Sequence, residues 1–350
     1  MVRVGIFGAT GYTGNELTKI LSAHPEVEIV TLASRSQAGV EVTLPARTGR
    51  NSYSKRSYTL QSVEAALEET MDVAFMCLSH GEGTELAARS IDSQVRVVDL
   101  SADYRMKTAE QFLSAYGMTH PSPEHIKHFT YGMPELFREK IRGARAVANP
   151  GCYPTTVALA AAPFVQSSLL QQNVPLIVDA KSGVSGAGKK PSDSTHFIAV
   201  QENFRPYSVG RMHRHVPEME QMLSDFSTCF SNRIVFTPGV LPVTRGMLSS
   251  VYLPLSSTMT QEECVSLVKD FYAQEPFVTV LTDGRMTPDL ASVRNSNEAL
   301  VSVHVIEQTA LVLVAIDNLG KGASGQAVQN FNLMMGFEET SGLKNTSSYY

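Results

Sequence analysis

The chain is poor in cysteine, light in charge and without a long apolar run. Its four cysteines, at positions 77, 152, 229 and 264, lie far apart and form no C-x-x-C pair. Neither a zinc site nor a secreted disulfide framework is expected from them, and a reducing compartment suits them better. Charged residues make up 18%, with 29 basic against 34 acidic for a net charge of −5. No basic block exceeds the pairs Lys55-Arg56 and Lys189-Lys190, which argues against a general nucleic-acid or membrane-surface binder. Apolar runs such as 310–316 fall far short of the roughly 20 residues needed to cross a bilayer. The opening MVRVGIFG reaches glycine before any apolar leader core forms, so it reads as a strand rather than a signal peptide. A cytoplasmic protein is expected.

What is present is ordinary globular composition, 43% apolar over 350 residues, enough for about two domains with cores of their own. Residues 2–7, 27–33, 72–78 and 95–100 are buried-type strands that alternate with helical patterns, the signature of a parallel sheet covered on both faces. Beyond about residue 155 the rhythm changes. Strand-like segments at 176–180, 233–237, 248–255, 277–281, 300–306 and 311–316 surround one strong amphipathic helix at 261–273, which implies a mixed or antiparallel sheet with helices on one face. The expected fold class is α/β, a Rossmann-type doubly wound parallel sheet plus a second α+β domain with a mixed sheet. The expected domains are 1–150 for NADP binding, with a C-terminal helix 318–336 packing back on it, 151–317 for catalysis, substrate and dimerisation, and 337–350 as a flexible tail. The helical face of Ala327, Phe331, Met334 and Met335 is what should dock that last helix.

The first strand runs into Gly8-Ala-Thr10-Gly11-Tyr12-Thr13-Gly14 and then a helix. This is a G-x-x-G-x-x-G dinucleotide turn, in which glycines let a pyrophosphate approach the amides of a helix N-terminus. About twenty residues on, where an NAD enzyme would place an acid, stands Ala33-Ser34-Arg35-Ser36. Arg35 can meet a 2′-phosphate in a bidentate manner and Ser34 adds a donor, so NADP(H) is favoured over NAD; a solvent-facing arginine is the alternative.

Asn149-Pro-Gly-Cys152-Tyr-Pro-Thr-Thr156 joins a strand to an Ala-rich helix, placing Cys152 at or just before a helix N-terminus, where amides and the dipole favour the thiolate. The proton donor for an oxyanion is sought in Gly210-Arg-Met-His213-Arg214-His215-Val-Pro217-Glu218. With Pro217 as first helical residue, the residues before it should be extended, with His213 and His215 on one face and Arg214 on the other. Spacing does not choose between the two histidines, and the H-x-H pair lacks a third ligand for a metal. Lys181-Ser182-Gly183-Val-Ser-Gly-Ala-Gly188 reads equally as an ordinary flexible loop or as amides that hold an anion or close over a nicotinamide. Asp99-Leu-Ser-Ala-Asp103-Tyr-Arg105 follows a parallel strand at the end where ligands gather, which makes Arg105 a phosphate clamp unless Asp103 simply pairs with it.

Together GATGYTG, SRSQAG, DLSADYR, NPGCYPT, KSGVSGAGKK, HRHVPEM and DNLGKGASGQAVQN give a resemblance from Gly8 to the terminal helix. The chain resembles the N-acetyl-gamma-glutamyl-phosphate reductases, arginine-biosynthesis enzymes of the aspartate-semialdehyde-dehydrogenase superfamily. The resemblance implies Cys152 as nucleophile, His213 as acid/base, NADPH as reductant and a homo-oligomer, dimer or tetramer. It brings Asn149, Arg214 and His215 to the substrate with Arg105, and Ser79-His80-Gly81, Ser182, Gly183, Asn318 and Lys321 to the cofactor. Where relatives commonly read L-P-H-G this chain reads Leu78-Ser79-His80-Gly81, leaving the rigidity of that loop open. Rival readings are the one-carbon-longer aminoadipyl-phosphate reductase of lysine biosynthesis, a non-catalytic NADPH sensor, and a cysteine hydrolase, which would leave the glycine turn and Arg35 without a role.

Overall fold

The computed structural model describes residues 1–49 and 52–343, with side chains throughout except in 44–49 and 52–54. Over the described residues the chain forms two compact units, one of Met1–Pro150 and 323–343, the other of Gly151–Gly322.

In chain order the first unit holds β1 (Val2–Phe7), α1 (Tyr12–Ser22), β2 (Val27–Ala33), β3 (Glu41–Gly49), β4 (Ser52–Thr59), α2 (Val63–Leu67), β5 (Val73–Met76), α3 (Thr84–Asp92), β6 (Arg96–Asp99), α4 (Ala109–Tyr116), β7 (Phe129–Tyr131), α5 (Pro134–Arg142) and β8 (Ala146–Ala148). Six strands make one sheet in the order β2-β1-β5-β6-β8-β7, parallel at every pairing. Their runs are apolar without alternation because both faces are covered: Val4, Ile6, Phe7, Val73, Phe75 and Val98 are all fully buried. β1 pairs with β2 on one side and β5 on the other, so the glycine turn after it lies at the sheet's topological switch point. The β3–β4 hairpin is a separate antiparallel pair, and its weakly apolar sequence gave no sign of it.

The terminal helix of this unit is shorter than expected and not amphipathic. It spans Gly325–Met335, after a π-helical turn over Gly320–Ser324. Phe331 packs on Phe75 with ring centroids 5.6 Å apart, yet Gln326, Gln329, Asn330 and Asn332 are also fully buried. They are tolerated because they bond to fixed carbonyls and side chains: Gln326 and Asn330 donate to the Gly132 carbonyl at 3.1 and 2.8 Å, and Asn332 donates to those of Glu339 and Ser341.

The second unit runs α6 (Cys152–Gln166), β9 (Leu176–Gly183), α7 (Phe197–Val200), β10 (Arg205–Pro206), α8 (His215–Phe226), β11 (Ile234–Leu241), β12 (Met247–Pro254), α9 (Gln261–Phe271), β13 (Val278–Leu281), β14 (Ala299–Ile306) and β15 (Thr309–Ile316). Its seven strands form a mixed sheet, β10-β11-β9-β12-β15-β14-β13. α6, α8 and α9 lie on it, and the alanines of α6 let that helix come close enough for Thr156 Oγ1 to reach Ser249 Oγ at 2.6 Å. Among the described residues no helix is long and apolar enough to cross a membrane.

The expected flexible tail is corrected over 337–343; 344–350 lie outside the described residues. Glu339 accepts from Arg138 Nε and Nη2, both at 3.1 Å, Phe337 packs on Phe331, and Leu343 is buried. Leu343→Ala should therefore lower the unfolding free energy in urea by about 2–3 kcal/mol. A change too small to measure would mean that this stretch is frayed after all.

Candidate active site

In the first unit the glycine turn is built by exclusion of side chains. Gly8 has φ +88°, and a Cβ there would overlap the Cys77 carbonyl; one on Gly14 would overlap the carbonyl of Gly8. The amides of Gly8 and Ala9 both donate to the Ala33 carbonyl, at 2.9 and 3.0 Å. Gly11 is the N-cap of α1 and offers no side chain to its amides, which leaves that helix start suited to an anion. Thr10 Oγ1 and Ser34 Oγ are 3.1 Å apart. Arg35 is about half exposed and rests on Glu82, donating to its carbonyl at 2.9 Å with the carboxylate 3.9 Å away. This contact with Glu82 was not legible in the sequence.

The Ser79-His80-Gly81 loop is pinned without its proline. Both oxygens of buried Asp103 accept from the Gly81 amide, at 3.0 and 2.9 Å, and one also accepts from Thr84 Oγ1 at 2.6 Å. His80 Nδ1 accepts from the Ala102 amide at 3.1 Å, so the neutral ring carries its proton on Nε2. Asp99, beside them, accepts from the amide and hydroxyl of Ser101 at 3.0 and 2.8 Å. Burial, and then the charge of Asp103, push its carboxyl up to about 7.

Arg105, expected as a phosphate clamp, is 8% exposed and spends donors inside this unit, Nε on the Asn149 carbonyl at 2.8 Å and Nη2 on that of Leu100 at 3.3 Å. Asn149, expected at the substrate, is buried too. Its amide group donates to the Ala323 carbonyl at 3.1 Å and accepts from Asn330 at 3.0 Å. These two residues fix the chain just ahead of Gly151.

In the second unit Gly151, with φ −68° and ψ 154°, is the N-cap of α6, and Cys152 is its first residue. The Gly151 amide donates to Glu218 Oε1 at 2.8 Å, and Glu218 is fully buried. The residues before Pro217 are not extended, which corrects the sequence expectation. The Val216 amide bonds back to the His213 carbonyl at 3.0 Å, and α8 already begins at His215, so Pro217 is its third residue. The turn still brings the two histidines together, ring centroids 4.7 Å apart, while Arg214 points to solvent.

His213 is packed among Tyr153, Tyr207 and Phe236, with centroids 5.8, 5.5 and 5.2 Å away. Its Nδ1 accepts from the His215 amide at 3.0 Å, which leaves the proton on Nε2. Burial, and then the charge of Arg214, lower its pKa from 6.5 to about 4. His213 is a neutral Nε2–H donor near neutral pH.

The glycine-rich loop is clamped rather than free. Gly183, Val184 and Ser185 donate their amides to the carbonyls of Gly246, Val243 and Thr244 at 2.8, 2.9 and 3.1 Å, and Ser182 is buried. Asn318 accepts from the Gly246 amide at 2.8 Å and donates to Ser185 Oγ at 2.9 Å. Lys321 is fully buried, its Nζ 5.8 Å from the centroid of Phe277.

The description "Semialdehyde dehydrogenase, NAD binding domain" matches residues 3–144, and "Semialdehyde dehydrogenase, dimerisation domain" matches 152–318. An N-acetyl-gamma-glutamyl-phosphate reductase of Symbiobacterium thermophilum is 43% identical over 355 residues, 100% of this chain and 99% of the relative. Those of Neisseria meningitidis serogroup A and Moorella thermoacetica are each 42% identical, the first over 98% of this chain and 97% of its own, the second over 98% of both. The chain belongs to the N-acetyl-gamma-glutamyl-phosphate reductase family. Its fold is also that of aspartate semialdehyde dehydrogenase II from Vibrio cholerae complexed with ASA, with TM-score 0.71 at 20% identity over 96% of this chain and 98% of that one. The Candida albicans aspartate semialdehyde dehydrogenase with NADP has TM-score 0.67 at 15% identity over the same shares.

The lowered pKa of His213 has a consequence for stability. Between about pH 6.5 and 4 the unfolded chain binds a proton at this ring that the folded chain does not, so this group's effect is to lower stability as pH falls through that window. His213→Asn should flatten the decline of the urea midpoint there, with a residual slope from His24 and His120, which burial lowers too. Parallel curves for variant and parent would show that the ring protonates as freely folded as unfolded.

Proposed function

We propose that this chain reduces N-acetyl-gamma-glutamyl phosphate to N-acetylglutamate 5-semialdehyde with release of phosphate, using NADPH, in arginine biosynthesis. The observation that carries the reading is Cys152 as first residue of α6 on a turn held by Glu218. The neutral Nε2–H of His213 in the same unit and membership of a reductase family support it.

The first unit fits a dinucleotide on its own geometry, since Cβ atoms at Gly8 and Gly14 would close the turn and the start of α1 has no side-chain cap. The amides at Gly11–Gly14 would hold the pyrophosphate, and Ser34 with Arg35 the 2′-phosphate. When bound, NADPH supplies the hydride. The rest falls to this chain. The Cys152 thiolate attacks the acyl carbon, the bond to phosphate breaks, and a thioester remains on Sγ. After reduction of that carbon, His213 Nε2–H donates a hydrogen bond to the new oxyanion; the oxyanion then collapses to the aldehyde as the C–S bond breaks, and the thiolate is restored. Covalent catalysis divides one hard displacement into two easier steps.

Ile177 of β9 stands beside Val235 of β11 and Tyr252 of β12 in register, and the three are 47%, 37% and 37% exposed. This apolar row on the sheet face supports a homodimer. Sedimentation velocity checks it, a monomer at micromolar concentration being the contrary result. Cys77, Cys152, Cys229 and Cys264 form no disulfide, as suits the reducing cytoplasm in which we place the enzyme.

A thioester resolved by phosphate makes the reverse reaction, NADP⁺ reduction with the semialdehyde, dependent on inorganic phosphate, with arsenate as a substitute. Cys152→Ser should abolish it and leave NADP⁺ binding intact. Phosphate-independent turnover by the parent chain would falsify the acyl-phosphate reading. In the same assay Arg35→Asp should weaken NADP⁺ by about 1.5–3 kcal/mol, the range for a charged hydrogen bond, and NAD⁺ far less. Equal losses for both would remove Arg35 from the 2′-phosphate.

A further inference from the structure

Gly322 lies in the turn after β15 and packs on the nucleophile. A Cβ built on it would stand 2.9 Å from Cβ of Cys152, 3.2 Å from the carbonyl oxygen of Asp317 and 3.4 Å from Cδ1 of Ile316. The first two neighbours are a side-chain root in the first turn of α6 and a backbone atom, so neither can swing aside as the end of a long side chain would. The φ of Gly322 is outside the left-handed region. Glycine therefore answers a lack of space here, not an unusual backbone angle.

The turn that carries Gly322 is held firmly. Its amide donates to the Asp317 carbonyl at 2.9 Å across five residues, the π-helical pattern, a geometry that recurs at functional sites. The Asp317 carboxylate is fully buried and accepts from the amides of Leu319, Gly320 and Asn295 at 2.8, 3.1 and 2.6 Å. Arg245 Nε lies 2.9 Å from its Oδ2. Charge-assisted bonds of this kind are about twice as strong as neutral ones. The loop is thus wound wide around one carboxylate, and its inner edge faces α6.

We infer that Gly322 is a positioning residue for the nucleophile: the turn anchored on Asp317 sets a backbone wall against Cβ of Cys152 and so restricts where the thiol can stand. This rests on Cys152 being the nucleophile of the reaction proposed above. Rotation about the Cα–Cβ bond gives a cysteine three staggered thiol positions, and a wall against Cβ narrows that choice before substrate arrives. Arg245 and Asp317 contribute by holding the wall in place.

Gly322→Ala should slow alkylation of Cys152 by iodoacetamide, read at that residue by mass spectrometry. It should lower kcat of phosphate-dependent NADP⁺ reduction by about 10- to 100-fold, the scale of an ångström-level misplacement. NADP⁺ affinity should stay near that of the parent. To separate positioning from general damage, the same substitution is made in a Cys152→Gly background, where the clashing Cβ is gone. The fall in Tm caused by Gly322→Ala should shrink there. An unchanged alkylation rate, or an equal fall in Tm in both backgrounds, overturns the inference. Full activity of Cys152→Ser would instead overturn the nucleophile assignment and with it the functional sense of the contact, while the alkylation rates and the Tm cycle bear on Gly322 alone.

Discussion

The bond from the Gly151 amide to the buried Glu218 carboxylate is the constraint on which the start of α6 in the second unit depends. A helix N-terminus leaves its first amides without partners, and Gly151 has no side chain to supply one. Glu218 does so from the first turn of α8, so the start of α6 and the start of α8 are fixed to each other. His213 sits in the turn just before α8, and its ring is oriented by a separate bond, the His215 amide donating to its Nδ1. A carboxylate there also answers the positive end of the α6 dipole and so competes with a thiolate for it. Pro154, the third residue of α6, has no amide to offer.

The first unit solves a related problem with a pair of carboxylates. Asp99 ends β6 and Asp103 follows it, close enough that the charge of Asp103 disfavours that of Asp99. The cost is offset because each accepts from fixed donors, Asp103 from Gly81 and Thr84, Asp99 from Ser101. The gain is rigidity in a loop that lacks a proline. Arg105 and Asn149 are buried polar groups held in the same way, Arg105 on the Asn149 carbonyl and Asn149 on that of Ala323.

Much of this was legible in the sequence, and the reasons for the rest are physical. Runs such as VRVGIF and LVLVAI declare strands because burial acts on every residue of them. Glycines and the NPGC turn declare themselves because few other residues tolerate such backbone approach. Glu218 was hidden, although it stands within the HRHVPEM motif, because a carboxylate on a helix ordinarily means a solvated face. The hold of Glu82 on Arg35 was hidden because it joins residues 47 positions apart. The terminal helix misled for the opposite reason. Its stripe of Ala327, Phe331 and Met334 was real, but Gln326, Gln329, Asn330 and Asn332 are buried as well, and their partners at Gly132, Glu339 and Ser341 cannot be read from a hydrophobic pattern.

The state of His213 decides between two ways a histidine can serve a thiol. A ring acting as base toward a thiol must take up a proton, which makes it an imidazolium, and both burial and Arg214 oppose that charge. It cannot receive the proton at Nδ1 without losing the His215 amide. A ring acting as donor meets neither obstacle. It is neutral already, its proton is on Nε2, and an oxyanion formed beside it gains a hydrogen bond without a new buried cation. In the reaction proposed for this chain, the arrangement would therefore favour stabilising negative charge on the thiolate or on the acyl oxygen over carrying positive charge away from the sulfur.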